Sequence, residues 1–388
     1  MVSIKKNVET LIKARGLSRE QLSARVGMDD EAFDAFLQEV PKRSDTKLKK
    51  IARELLVPDF LLFAEEPPLR ERVLPDFRLS QPSGTGYSRE TLKWIDFAVA
   101  IQEHSGKFYS ENSSRLIRSL ISSDLDVTIA AKKLRDALDI SEGDQMSAPD
   151  ARSFYSLIRQ RVERLSVFVL QLSFPDNDGA GFCLAGNCFD VIVVNTKKQN
   201  HARRLFTLAH EIYHCSLSAS GVSDPEIVKN KIERTCNQFA VEFIAPEHFA
   251  RALAASTITT RSLLVSEVQS FSKMSKLSMY ASVLRLVELG IYDETAIGAW
   301  QQFVATTGYG DVAVPSGGRR VEEWKYKLGK YGFQFARVFG SEAGRDYLDP
   351  LELFHFSGIK PKYQSDYFKN ARSASADEAL EDQGWADE

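Results

Sequence analysis

Residues 203–217 read RRLFTLAHEIYHCSL and contain the pattern His-Glu-x-x-His, with His210, Glu211 and His214. On an α-helix, side chains four residues apart lie on one face, so both imidazoles can reach one metal ion while Glu211 stands beside it. Imidazole nitrogens suit Zn²⁺, and three protein ligands with an open fourth position are typical of a catalytic zinc site. The pattern therefore predicts a helix that carries two zinc ligands.

A third ligand is expected in the next predicted helix, IERTCNQFAVEFIAP at residues 232–246. Glu233 and Asn237 lie four apart along one edge of an apolar stripe, whereas Glu242 points about 180° away from Glu233. We therefore expect Glu233 to bind the metal and Asn237 to hydrogen-bond one of the ligands. The alternative is an amphipathic surface helix on which Glu233 is solvated. The stripe consists of Cys236, Phe239, Ala240, Phe243 and Ile244.

The first 66 residues have apolar positions spaced three or four apart, which is typical of a small helical bundle. Residues 16–37 read GLSREQLSARVGMDDEAFDAFL. Ser18 is the expected N-cap of a helix with Gln21 at its third position, and Gly27 breaks the chain before a second helix. This segment resembles the helix-turn-helix of Xre/Cro-type repressors, in which the second helix reads DNA.

That second helix is acidic, because residues 28–39 read MDDEAFDAFLQE and contain neither lysine nor arginine. DNA affinity rests mainly on cationic contacts to phosphate, so the carboxylates favour a converted interaction module over sequence-specific DNA binding. The sequence assigns no DNA-contacting residue. The basic residues that follow could contact phosphates or form an ordinary solvated face; they are Lys42, Arg43, Lys47, Lys49, Lys50 and Arg53.

Composition excludes several classes of protein. With 388 residues and 43% hydrophobic side chains the chain can form more than one packed core, and a net charge of −3 gives no sign of a polyanion partner. Four cysteines without a CxxC pair predict buried, reduced thiols rather than a disulfide framework. Neither an apolar run of roughly 20 residues nor a signal-peptide core is found, which predicts a cytoplasmic protein with no membrane partner.

Two motifs together resemble the ImmA/IrrE family of bacterial metallopeptidases: FTLAHEIYH at residues 206–214 and ERTCNQFAVEFIAP at residues 233–246. The agreement covers residue type, order and spacing. LPDFR at residues 74–78 and LGKYGFQFARVFG at residues 328–340 extend it to the long members that begin with an Xre-like domain. Cys236 departs from the family pattern, in which alanine is common at this place.

The resemblance implies that His210, His214 and Glu233 bind zinc and that Glu211 is the general base of peptide hydrolysis. It also implies a protein substrate, a helix-turn-helix repressor whose cleavage controls stress responses, mobile elements or prophages. Two other functions stay open: a DNA-binding regulator with structural or sensory zinc, and an antitoxin-like scaffold without hydrolytic activity. The sequence does not indicate the oligomeric state or the activating signal.

The predicted fold is α+β and mainly helical. Three β-rich runs at residues 166–174, 181–186 and 189–195 predict a small sheet of about three strands. This sheet precedes the helix that carries His210 and His214. We divide the chain into an Xre-like helix-turn-helix domain at 1–66, a linker at 67–89, a zincin-like metallopeptidase domain at 90–300, and a helical C-terminal region at 301–388 with an acidic tail. The stretch at residues 322–344 of that region has apolar residues at helix spacing.

Two features of substrate binding are expected from the chemistry. The third β-rich run, FDVIVVN at residues 189–195, is a candidate edge strand on which an extended peptide adds. A donor for the oxyanion is also needed, and the sequence leaves Tyr213, His201 and His248 open, each of which a structural role explains as well. A free cytoplasmic protease needs restraint, so we expect little activity on unstructured substrates such as casein.

Overall fold

The computed structural model describes residues 4–39, 42, 45–64, 87–108, 117–122, 124–223, 231–309 and 321–376. The predicted linker lies almost wholly outside these residues, as do the LPDFR motif and most of the acidic tail. The chain divides into two compact units, residues 1–100 and residues 101–388. Within the described part of the chain, no helix is both long enough and apolar enough to cross a bilayer.

The first unit is helical. It contains α1 (Ile4–Ala14), α2 (Arg19–Val26), α3 (Asp30–Gln38), α4 (Thr46–Glu54), a 3₁₀ turn (Asp59–Phe63) and the beginning of α5 (Arg89–Phe108). The predicted cap of α2 is confirmed, because Ser18 and Gln21 form a capping box and Gly27 ends the helix with a φ of 81°. Fully buried side chains from α1 to α4 form the core of the bundle: Val8, Leu22, Phe33, Leu48 and Ile51.

The second unit surrounds a small sheet with helices, so the predicted α+β, mainly helical class is confirmed. Its helices are α6 (Ile117–Leu120), α7 (Val127–Ala137), α8 (Glu142–Ser147), α9 (Ala151–Val162), α10 (His201–Ser216), α11 (Lys231–Ile244), α12 (Glu247–Thr257), α13 (Val265–Ser275), α14 (Met279–Glu288), α15 (Thr295–Thr307), α16 (Glu323–Phe339), α17 (Glu342–Tyr347), α18 (Pro350–Ser357) and α19 (Pro361–Ala376). Its strands are β1 (Val167–Leu172), β2 (Gly181–Leu184), β3 (Asp190–Asn195) and β4 (Gly221–Ser223), with a 3₁₀ turn at Asp176–Asp178.

The sheet corrects two predictions. It has four strands rather than about three, because β4 is too short to produce an alternating pattern in the sequence. The strand order is β1-β3-β2-β4, with β3 parallel to β1 and antiparallel to β2. The interpretation of β3 as an edge strand is therefore wrong. All six of its residues are buried, which matches the continuous apolar run of an internal strand.

Helix α16 packs against β1 and α19, and its helical spacing is interrupted at Gly332, whose φ is 80°. The interruption frees the backbone N–H of Phe333, which donates to the carboxylate of Glu163 at 2.6 Å. Arg159 donates to the same carboxylate at 3.0 Å. Burial raises the pKa of Glu163 above its usual range, although these partners oppose it. The sequence periodicity could not show this break, because it records side-chain polarity and not backbone angles.

Replacing Gly332 with alanine should destabilise the second unit. The backbone angles of Gly332, φ 80° and ψ 174°, lie in a region that is open essentially to glycine alone and costs another residue about 1–3 kcal/mol. The new Cβ would also displace the Glu163 carboxylate and weaken a charged hydrogen bond worth about 1.5–3 kcal/mol. Thermal and urea denaturation would measure the loss. Gly298→Ala on α15 is the control, since nothing lies within 4 Å of the added carbon. Equal stability of the two variants would contradict the proposed role of the break.

Asp190 should make stability depend on pH. Burial raises the pKa of Asp190 to about 6, against hydrogen bonding from the backbone of Gly186 and the charge of Arg118. Between about pH 4 and pH 6 the folded chain then binds more protons than the unfolded chain, so the free energy of unfolding falls as pH rises through this window. Asp190→Asn keeps an acceptor for Gly186 and should be more stable than the parent above pH 6, by up to about 3 kcal/mol.

Urea denaturation across that pH window measures the effect. The control is Asp176→Asn, whose carboxylate is exposed and pairs with Lys198. A difference between Asp190→Asn and the parent that stays constant with pH would contradict the prediction.

Candidate metal centre

Helix α10 carries the His-Glu-x-x-His pattern, as predicted. Asn200 caps the helix by accepting from the backbone N–H of Arg203 at 2.9 Å, and helical geometry continues to Ser216. The helix packs against β2, β3, α9 and α11, which buries all three residues of the pattern completely. These neighbours hold the histidine face toward the interior of the second unit.

Helix α11 faces α10 and brings Glu233 to the two histidines. Glu233 Oε2 lies 3.2 Å from His210 Nε2, Glu233 Oε1 lies 3.1 Å from His214 Nε2, and the two Nε2 atoms are 3.1 Å apart. Glu233 has no exposed surface, so the alternative of a solvated surface helix does not hold. Donors about 2.0–2.1 Å from one tetrahedral ion are about 3.3–3.4 Å apart, so this triangle fits zinc with little adjustment.

The position of α11 is fixed at its C-terminal end. Arg135 of α7 donates to the carbonyl of Phe243 at 2.8 Å, and Gln145 of α8 donates to the carbonyl of Ile244 at 2.8 Å. These bonds satisfy carbonyls that the end of a helix leaves without a partner within the helix. Near the middle, the ring of Phe239 stacks on Tyr213 of α10 with centroids 4.6 Å apart. Polar and aromatic contacts together set the distance between the two helices.

Asn237 orients one of the histidines. Its Oδ1 lies 2.8 Å from Nδ1 of His210. An amide oxygen accepts a hydrogen bond, so this contact favours the proton on Nδ1 and leaves the lone pair of Nε2 directed at the centre. The structure thus places Asn237 where the helical spacing predicted.

The two histidines and Glu233 shift one another's pKa values. Burial raises the pKa of Glu233, but its contacts with the ring nitrogens of His210 and His214 outweigh burial and bring this pKa below the usual value. Burial lowers the pKa of His214. The pKa of His210 is raised overall. Burial lowers it, but the contact with Glu233 and the nearby carboxylate charges outweigh burial. The result is an anionic carboxylate that faces two imidazoles in the buried interior.

Glu211 lies against the sheet. A Cβ on Gly181 of β2 would approach Glu211 Oε1 to 3.2 Å and the backbone oxygen of Val193 to 2.8 Å. The absence of a side chain at Gly181 therefore makes room for the Glu211 carboxylate between α10 and the sheet. This space was not evident from the sequence, where Gly181 opens an ordinary β-rich run.

Cys236 also reaches the centre, which was not expected from the sequence. Its Sγ and one ring nitrogen of each of His210 and His214 all lie within 4.8 Å of one another, so the three could hold a metal ion. The oxygens of Glu233 are closer to the histidines, at 3.1–3.2 Å, and we take Glu233 as the nearer donor. The available signal was the spacing of Cys236 three residues after Glu233, which puts both on one face of α11.

The remaining candidates have contacts elsewhere. Tyr213 stacks in the core on Phe239, His201 lies with its ring 6.3 Å from that of Tyr155, and His248 is exposed and pairs with Glu142. These contacts support structural roles for the three oxyanion candidates. Glu242 pairs with Arg285 at 2.5 Å, on the side of α11 away from Glu233.

Residues 162–280 match the family model of the IrrE N-terminal-like domain, Peptidase_M78. The matched region contains the sheet and both helices of the centre, so the family points to a metallopeptidase-like domain there. No match was found among curated proteins.

Asn237→Ala should weaken zinc binding without unfolding the chain. Without this hydrogen bond, the tautomer and the orientation of the His210 ring are no longer fixed. Such contacts typically contribute about 10- to 100-fold to metal affinity, so we expect zinc affinity to fall by about that factor. Competition with a chelating dye measures the dissociation constant. The control is Gln238→Ala, which removes an exposed side chain at the next position of α11. Equal affinity of both variants would contradict the role of Asn237.

Proposed function

We propose that this protein is a zinc-dependent, site-specific endopeptidase. The observation that carries the proposal is the buried triangle of His210, His214 and Glu233 with Glu211 on the same helix. Two imidazoles and one carboxylate are the donor set of many catalytic zinc sites, and they leave a fourth position for water. The match to a metallopeptidase family model over residues 162–280 supports the same chemistry.

Each residue has a separate role in the proposed reaction. His210, His214 and Glu233 hold the ion, and Asn237 fixes the ring of His210. Bound zinc would polarise the scissile carbonyl and lower the pKa of water toward 7. Glu211 accepts a proton from the attacking water and gives it to the leaving amine. The Glu211 carboxylate is buried beside Gly181, and its charge helps to raise the pKa of His210, so it lies within electrostatic range of the centre.

The proposed substrate is a repressor-like helix-turn-helix protein, and its cleavage in the cytoplasm would regulate transcription in a stress, prophage or mobile-element response. The resemblance to ImmA/IrrE peptidases supports this choice. Complete burial of the centre agrees with a protease that does not act on generic substrates.

We further propose that the first unit has a helix-turn-helix architecture that binds protein rather than DNA. Helices α2 and α3 are joined by three residues, as such a motif requires. Asp29, Asp30 and Glu31 are exposed at the start of α3, and Asp34 pairs with Lys5 and Arg19. An acidic surface repels DNA phosphates, so a protein partner with a basic face fits this unit better.

A regulator with structural zinc is the second candidate, and the position of Cys236 favours it. Four protein ligands are typical of structural zinc sites. Such a protein should bind an operator with strong salt dependence, and Glu211→Gln should not affect that binding.

Elemental analysis of protein purified without a metal-affinity tag tests the centre. The parent chain and Gln238→Ala should hold about one zinc per chain, whereas Glu233→Ala should lose most of it because one of three ligands is gone. Glu242→Ala is a less suitable control, because it removes one of the two carboxylates that pair with the buried Arg285. A parent chain that stays metal-free when zinc is supplied would overturn the proposal.

Glu211→Gln separates binding from catalysis. The variant should retain zinc and lose at least about 100-fold in cleavage rate, because general acid–base catalysis contributes 10²- to 10⁴-fold. It can also serve to trap the substrate, which mass spectrometry would identify. Unchanged cleavage by Glu211→Gln would exclude the proposed mechanism.

A further inference from the structure

The centre contains a second potential donor on α11 in addition to Glu233. Glu233 and Cys236 are three residues apart on that helix, and His210 and His214 are four apart on α10. Residues at these spacings lie on one helical face, so each helix directs two donors at the other. The Sγ of Cys236 lies within 4.8 Å of a ring nitrogen of both histidines.

This geometry is close to that of a four-ligand zinc site. With Zn–S near 2.3 Å and Zn–N near 2.0–2.1 Å, tetrahedral angles place sulfur about 3.6 Å from each nitrogen. The 4.8 Å limit exceeds this distance by about 1 Å, so binding requires only a small movement of Sγ toward the histidines.

The other buried cysteines do not meet this condition. Cys183 lies on β2 and its Sγ contacts the carbonyl of Ala219 at 3.4 Å. Cys215 follows His214 directly, so its side chain projects about 100° away around α10. Of the cysteines in the described chain, Cys236 is the one grouped with the two histidines. Cys183 and Cys215 interact with each other, whereas Cys236 is grouped with the two histidines.

We propose that Cys236 is the fourth ligand of the resting zinc centre and occupies the position that water needs for catalysis. This inference rests on the proposed zinc peptidase function and adds its regulation. A thiolate is a preferred zinc ligand, and a centre with four protein ligands is closed. His210, Glu211, His214 and Glu233 have no exposed surface, which agrees with a centre closed to solvent at rest. The enzyme acts only in the minor population in which the thiolate has left the ion.

X-ray absorption at the zinc edge tests the ligation directly. We expect one sulfur scatterer at about 2.3 Å in the parent chain and in Cys183→Ala, and only nitrogen and oxygen neighbours in Cys236→Ala. In the cobalt-substituted proteins, a thiolate-to-cobalt charge-transfer band should be present in the first two and absent in the third. The measurement on the parent chain does not depend on whether a variant folds.

Cleavage of the identified substrate tests the inhibition. Cys236→Ala should cleave about tenfold faster or more, because a minor state of about 10% or less becomes the whole population. Cys183→Ala should cleave at the parent rate. Cys236→Ser also removes the thiolate, hardly changes the packing, and serves as a second variant for the same comparison. Sulfur ligation without a gain in rate would overturn the inhibitory role and favour a structural zinc.

The outcomes separate this inference from the function on which it rests. A parent chain that binds zinc through nitrogen and oxygen alone overturns the role of Cys236 and leaves the peptidase proposal standing. A parent chain that binds no zinc overturns both.

Discussion

The contact between α10 and α11 is the interaction on which the candidate centre depends. Each helix is amphipathic, and packing of the apolar faces against each other brings His210, His214 and Glu233 into the same buried space. Burial of an ionised carboxylate without a partner would cost a large free energy. The two imidazoles reverse this penalty, and they bring the pKa of Glu233 below its usual value despite burial. Contact with the two histidines therefore lowers the cost of burying the carboxylate.

The surrounding structure serves to hold these helices. The sheet packs under α10 and, through Gly181, leaves space for the Glu211 carboxylate. Arg135 and Gln145 bind the C-terminal carbonyls of α11. At one edge of the sheet, β1 packs against α16. The helix is interrupted at Gly332, where the backbone N–H of Phe333 donates to the buried carboxylate of Glu163. A large, mainly helical unit thus supports a site that consists of a few side chains on two helices.

Periodicity and caps were reliable guides where the interactions are local. The capping box of Ser18 and Gln21, the break at Gly27, the helix that carries His210 and the strands β1 to β3 all follow from residues within one turn or one strand of each other. The failures involve contacts between distant residues. The pairing of β3 on both sides, the existence of β4 and the contact of Phe333 with Glu163 depend on segments far apart in the chain.

The sequence by itself determined the candidate donor residues, because the spacing of His210, Glu211 and His214 and the phase of Glu233 on its helix are properties of single helices. Only the tertiary structure decided which side chains share the centre. Cys236 belongs to the apolar stripe when α11 is considered alone, and the approach of α10 brings its Sγ to the histidines. The distance between two helices is set by the packing of side chains from many elements, and no local pattern in the sequence records it.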